Sequence, residues 1–139
     1  MWRALTAAAL FSLLLAPSAH ACRTSFDMRT VMFEALPADT PSYELVLRVS
    51  FPAFGQHSEG WVERGYVIDA TVLDVVQGEY DQPTVPVVIG FGTCDVTPFG
   101  QTGLIIGHFE AAPDENGAER RVFIARAESF GDRFEPARN

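Results

Sequence analysis

The chain contains no lysine; all 10 of its basic residues are arginine, set against 18 acidic ones in 139 residues. Such a surface repels phosphate backbones and anionic headgroups, which argues against nucleic acid as a partner. Histidine is scarce at 3 residues and cysteine scarcer at 2. There is no C-x-x-C, G-x-S-x-G, H-E-x-x-H, P-loop or dinucleotide fingerprint, so the familiar nucleophilic, zinc-hydrolase and nucleotide chemistries have no local signature. Beyond residue 21 no segment keeps a helical period over ten residues, and no repeat or low-complexity tract appears. An apolar share of 47% nonetheless suits one globular domain.

Residues 1–21 read as a secretory signal. Arg3 gives the positive start, residues 4–15 the apolar run, and Ala19-His20-Ala21 the small-x-small cleavage pattern. The run is shorter than the roughly 20 residues a membrane span needs. Cleavage after Ala21 would make Cys22 the N-terminus and leave nine arginines, a net charge of −9. Ala19 and His20 fit a lipoprotein signal poorly, so plain export to a periplasm or the medium is expected.

Two cysteines in an exported chain read most simply as one disulfide, Cys22–Cys94, with free thiols or an intermolecular bridge as alternatives. The bridge would close about seventy residues and contribute roughly 4 kcal/mol through chain entropy.

The rest of the chain reads as strands. Residues 22–42 predict an irregular segment lying across the domain, with a short strand at 30–34, ended by Pro37 and Pro41. Residues 43–51 alternate, with Tyr43, Leu45, Leu47, Val49 and Phe51 on one face. Residues 52–65 predict a loop. A second strand covers 66–76, with Ile68, Ala70, Val72 and Val76 inward and a bulge or strong coiling where alternation breaks at Leu73-Asp74-Val75. Strands at 85–91, 104–109 and 121–127 follow. Pro86 requires the start of its strand to be an edge or an entry position, and 112–117 reads as a turn. A polar tail, 128–139, is expected on the surface, pinned by Phe130 and Phe134. Five strands interrupted once, between the third and fourth, predict an all-β, partly open barrel of OB type over residues 22–127.

Chemistry is thin. His57/Glu59 and His108/Glu110 are two H-x-E pairs, and i, i+2 residues share a strand face. Two ligands do not make a metal site, and a surface ion pair explains them as well. A metal-dependent hydrolase using His57 and His108 is the weakest reading, because nothing supplies a third ligand. Asp114-Glu115-Asn116-Gly117 resembles a calcium-loop fragment, but turn chemistry accounts for it. No metal, cofactor or catalysis is expected. Phe54, Trp61, Tyr66 and Phe91 are candidates for stacking a small molecule or glycan, although anchoring roles are commoner for such rings.

The segments Y-E-L-V-L-R-V, Y-V-I-D-A-T-V-L-D-V-V-Q-G, V-P-V-V-I-G-F-G-T-C-D and G-L-I-I-G-H-F occur in that order. Their layout resembles the netrin-like domain, whose members include the tissue inhibitors of metalloproteinases. The resemblance implies an OB-fold, a mature N-terminal cysteine and a disulfide from it to the cysteine closing the third strand, here Cys22 and Cys94. It also implies a partner-binding ridge of Cys22, Arg23, Thr24, Asp95 and Val96, with the Cys22 amine and carbonyl chelating the zinc of a protease. The inhibitors begin Cys-x-Cys and carry glycine after the third-strand cysteine; here Arg23-Thr24 follows Cys22 and Asp95 follows Cys94. A monomeric binding module with a protein partner is the function this implies.

Overall fold

A computed structural model of the chain describes residues 28–56, 60–90, 92 and 94–129. Among them are eight strands and no helix, so no helix long and apolar enough to cross a membrane. Five strands form a ring: β2 (Leu45–Ser50), β4 (Gly65–Gln77), β5 (Thr84–Ile89), β6 (Thr102–Pro113) and β7 (Glu119–Ala125). Strand β2 pairs with β4 and β6, β6 with β7, β7 with β5, and β5 with β4. Every pairing is antiparallel except β5–β7.

One long strand closes the ring. Residues 66–71 of β4 pair with β5, and residues 71–77 pair with β2. To serve both neighbours β4 must bend, and two register slips let it do so. Leu73 is skipped between the pairs Arg48–Asp74 and Val49–Val72, and Val76 between Val46–Gln77 and Leu47–Val75. An extra residue on one strand kinks it and increases its twist. The bulge expected at 73–75 is therefore present, but Val76 does not point inward. The second slip resets the alternation, leaving Leu73 and Val76 53% and 41% exposed while Val75 packs on the core.

Inside the ring, period-two alternation delivers Leu47, Val49 and Phe51 from β2 and the residue after it, Ile68 and Ala70 from β4, Val85, Val87 and Ile89 from β5, Ile105 and Phe123. Each of these apart from Ala70 contributes about 1.5–3 kcal/mol relative to an exposed side chain. Tyr43, expected on this face, is 85% exposed. The Glu44 amide donates to the Pro41 carbonyl, so Tyr43 lies in a turn and β2 begins only at Leu45. Gln77 Nε2 donates to the carbonyls of Pro41 and Glu44, each at 2.8 Å, and fastens that turn to the end of β4.

Two clusters cover the outside. Because β7 pairs with β6 only from Gly107 onward, the earlier edge of β6 is open. Phe33 fills it, exchanging two 2.9 Å backbone hydrogen bonds with Leu104. Its ring packs with Val46, Leu104 and Ile106, which explains why Val46 is buried on the face that alternation assigns to solvent. The strand expected at 30–34 is thus a two-residue strand, β1 (Arg29–Thr30), followed by a single bridge at Phe33. Strand β1 pairs with β8 (Glu128–Ser129), so the first two residues of the expected surface tail are half-buried and paired. Residues 130–139, with Phe130 and Phe134, lie outside the described residues.

The second cluster corrects the loop expected at 52–65. Residues 60–62 form β3 (Gly60–Val62), a hairpin with β4 turned by Glu63-Arg64. Val62 covers Val67, Val88, Ala112 and Val122. A three-residue strand has too few positions to show alternation, so sequence pattern misses it. Strand β6 also outlasts its expected 104–109, and the turn begins at Asp114 rather than Ala112. There Asp114 Oδ1 accepts the amides of Asn116 and Ala118, with Gly117 at φ +78°. Pro86 faces Asp69 of β4, one residue before β5 meets β7, so its missing N–H interrupts no pairing with β7.

Candidate functional site

Strand β5 ends at Ile89, and the chain turns through Gly90 and Gly92 into Cys94-Asp95-Val96. The Asp95 amide donates to the Gly92 carbonyl at 3.0 Å, and Asp95 Oδ2 accepts the Gly92 amide at 2.9 Å. A Cβ at Gly90 or Gly92 would lie 2.7 or 2.5 Å from Asp95 Oδ2, so small residues make room for that carboxylate. Arg29 then docks by its backbone. Its amide donates to the Cys94 carbonyl and its carbonyl accepts from the Val96 amide, both at 2.7 Å.

Asp95 and Val96, two of the expected ridge residues, thereby lie beside the N-terminal segment. The other three, Cys22, Arg23 and Thr24, lie outside the described residues, and with them the Cys22–Cys94 pairing.

Beside this junction is a cleft of about 340 Å³. Its apolar wall includes Val88, Ile89 and Ile124, and its polar lining Arg29, Arg64 and Asp95. Arg64 is placed there by the tight β3–β4 turn. The adjacent Gly65 is demanded by proximity, since a Cβ would fall 2.3 Å from the Ile89 carbonyl oxygen. Arg64 Nη1 pairs with Glu110 Oε2, and Glu110 Oε1 lies 2.7 Å from His108 Nε2. The His108/Glu110 pair is therefore a surface hydrogen-bonded contact whose carboxylate also forms an ion pair with Arg64. His57 and Glu59 lie outside the described residues, among which no three His, Cys, Asp or Glu side chains are grouped to hold a metal ion.

The candidate stacking rings divide into two pairs. Trp61 and Tyr66 face each other across β3 and β4, with centroids 5.2 Å apart and planes tilted by 41°. Phe54 packs edge-on against Phe99 at 5.3 Å. Phe91 lies outside the described residues. Sequence reading missed Phe99, Arg29 and Arg64. Arg64 had a faint signal, as one of two polar residues preceding Gly65 at a turn.

Displaced titrations sit away from the cleft. A hydrogen bond from the Arg126 guanidinium holds the Asp39 carboxyl below its ordinary value, and the same contact raises Arg126. Burial pushes the Tyr80 phenol upward, opposed by Arg121 and reinforced by Asp81 and Asp69. Tyr80 donates to the Thr84 carbonyl at 2.6 Å and stacks on Phe109, over which Arg121 lies.

No protein-family model, curated protein or solved structure matches the chain.

Proposed function

We propose that the chain is an exported, non-catalytic binding module of netrin-like OB type, whose ridge beside Cys94 contacts a protein partner. The order of the ring supports the fold. Taking its strands along the chain, the first pairs with the second and fourth, and the third with the second and fifth. The parallel third–fifth pair suits the Greek-key connectivity of an OB-fold.

The observation that carries the functional reading is the Arg29 lock onto Cys94 and Val96. Arg29 follows Cys22 by seven positions, at most about 25 Å of extended chain. A tether that short lets Cys22 reach the Cys94 loop, which supports the disulfide. Cleavage after Ala21 then leaves the α-amine and carbonyl of Cys22 on the same ridge as Asp95 and Val96, the arrangement with which the resembling inhibitors chelate a protease's zinc. N-terminal sequencing and intact mass of exported protein test the premise, followed by inhibition assays against zinc metalloproteases. A Cys22 start, a bridged mass and inhibition lost on amine acetylation are expected. An acylated Cys22, or a different start, removes the chelating mechanism.

A second reading rests on the Trp61–Tyr66 pair, in which Trp61 is 44% exposed. Such a ring pair offers a platform for a glycan or small planar molecule. Thermal stabilisation by sugars that is lost in Trp61→Ala would support it; no stabilisation counts against it.

A further inference from the structure

The cleft beside the ridge has a charge unlike the rest of the chain. The sequence carries a net charge of −8, yet two arginines and one aspartate line this cleft. Asp95 is already engaged by the Gly92 amide. The salt bridges among the described residues employ Arg64, Arg120 and Arg126, and none employs the Arg29 guanidinium. Arg64 meets Glu110 through one nitrogen, Nη1, and a guanidinium has five N–H donors, so the contact leaves others to spare. Val88 and Ile124, which pack together on the outer face of the sheet, supply the apolar part of the lining. The glycine at position 90 adds no side chain to fill the space. At about 340 Å³ the volume lies at the lower end of small-molecule sites.

We propose that this cleft binds a small amphipathic carboxylate, with the carboxylate at Arg29 and Arg64 and a short aliphatic body against Val88 and Ile124. A cation is disfavoured by the two guanidinium groups, and a neutral alkyl group offers their spare donors no acceptor. Two sources share the ligand chemistry: a free branched or short-chain acid, and the C-terminal carboxylate of a peptide ending in an aliphatic residue. The site is distinct from the zinc-chelating mechanism, because it needs neither the Cys22 amine nor a metal.

The test is a ¹H–¹⁵N NMR titration of the protein as isolated with hexanoate, hexanamide, hexylamine and acetyl-Ala-Ile bearing a free carboxyl. Hexanoate or the peptide is expected to shift the amides of Val88, Ile89, Ile124 and Ala125, with the tighter binder identifying the source. Arg29→Gln should weaken that binding by about tenfold, the loss of one charge-assisted hydrogen bond. Because Arg29 docks through its backbone, this variant keeps the junction, and an unchanged spectrum elsewhere verifies it. Equal binding of hexanamide or hexylamine, no shift with either acid, or affinity unchanged in Arg29→Gln overturns the assignment. A failed protease assay leaves these outcomes unaffected, so the two readings fall separately.

Discussion

The amide of Arg29 donates to the Cys94 carbonyl at 2.7 Å, while the other edge of Arg29 pairs with Ser129. Three stretches far apart in sequence meet at this one backbone position, and every link is main chain. Side-chain replacement and backbone replacement should therefore separate. Arg29→Gln is expected to change stability by no more than about 0.5 kcal/mol. Arg29→Pro deletes the donor and leaves the Cys94 carbonyl without its partner, at a cost of about 1–3 kcal/mol. Urea unfolding of the two variants checks this, and equal stabilities would refute it.

The paired bulges of β4 make a second contrast. Leu73 and Val76 are apolar yet exposed, as the residues skipped in the register with β2. Leu73→Ser and Val76→Thr should each stay within about 0.5 kcal/mol of the parent. Ile68→Ala and Ile105→Ala, at fully buried positions, should each cost about 2–5 kcal/mol. Thermal or denaturant unfolding distinguishes the sets, and a large loss at Leu73 would mean that it is not skipped.

Alternation made the ring's strands legible because each has one face on a common core, and Leu47, Val49, Ile68 and Ile105 carry that signal. Local pattern failed wherever a second contact decided the outcome. Val46 looks solvent-facing until Phe33 arrives from thirteen residues upstream. Val76 looks inward until β2 forces a second slip. The β3 hairpin and the Arg29 junction depend on long-range pairing, so the cleft they frame was invisible in the sequence. Of the expected ridge, Asp95 and Val96 were placed beside the N-terminal segment, and Phe54, Trp61 and Tyr66 resolved into two separate ring contacts.

Two glycines should fail for different reasons. A Cβ at Gly107 would lie 2.0 Å from the Ile124 carbonyl oxygen, against backbone on the paired strand. Gly107→Ala must separate β6 from β7 and is expected to cost about 2 kcal/mol or more. Gly117 has open space around it but a φ of +78°, so Gly117→Ala should cost only about 1–2 kcal/mol. Amide exchange sharpens the contrast. Lost protection in β6 and β7 is expected for the first variant, and a change confined to the 114–118 turn for the second.

Asp39 and Arg126 predict a pH response in the acid range. Arg126 donates to both carboxylate oxygens of Asp39, at 3.4 and 3.0 Å, and lowers its pKa below the ordinary value. A carboxylate depressed in the folded state adds stability above its unfolded pKa, and that increment disappears as pH falls through the folded value. Asp39→Asn should therefore reduce stability at neutral pH but match the parent once the carboxylate is protonated. High salt should shrink the difference, since the pair is exposed. A carboxyl titration of Asp39 by NMR that is unmoved by Arg126→Gln would contradict the assigned cause.

The proposed Cys22–Cys94 bridge gives the sharpest redox expectation. A bridge closing about seventy residues is worth roughly 4 kcal/mol in the chain-entropy account, or on the order of 10–20 °C in melting temperature for a domain this size. Reduction should lower the melting temperature by that order, and Cys94→Ser should reproduce the loss and become insensitive to reductant. The Arg29 hydrogen bonds do not require sulfur, so the ring should still fold in that variant. Its Val96 amide, which donates to Arg29, should exchange faster because the tether upstream of Arg29 is no longer anchored. A melting temperature indifferent to reductant, with both thiols available to alkylation beforehand, would remove the bridge. It would leave the Arg29 backbone hydrogen bonds to Cys94 and Val96 to hold the N-terminal segment against the Cys94 loop.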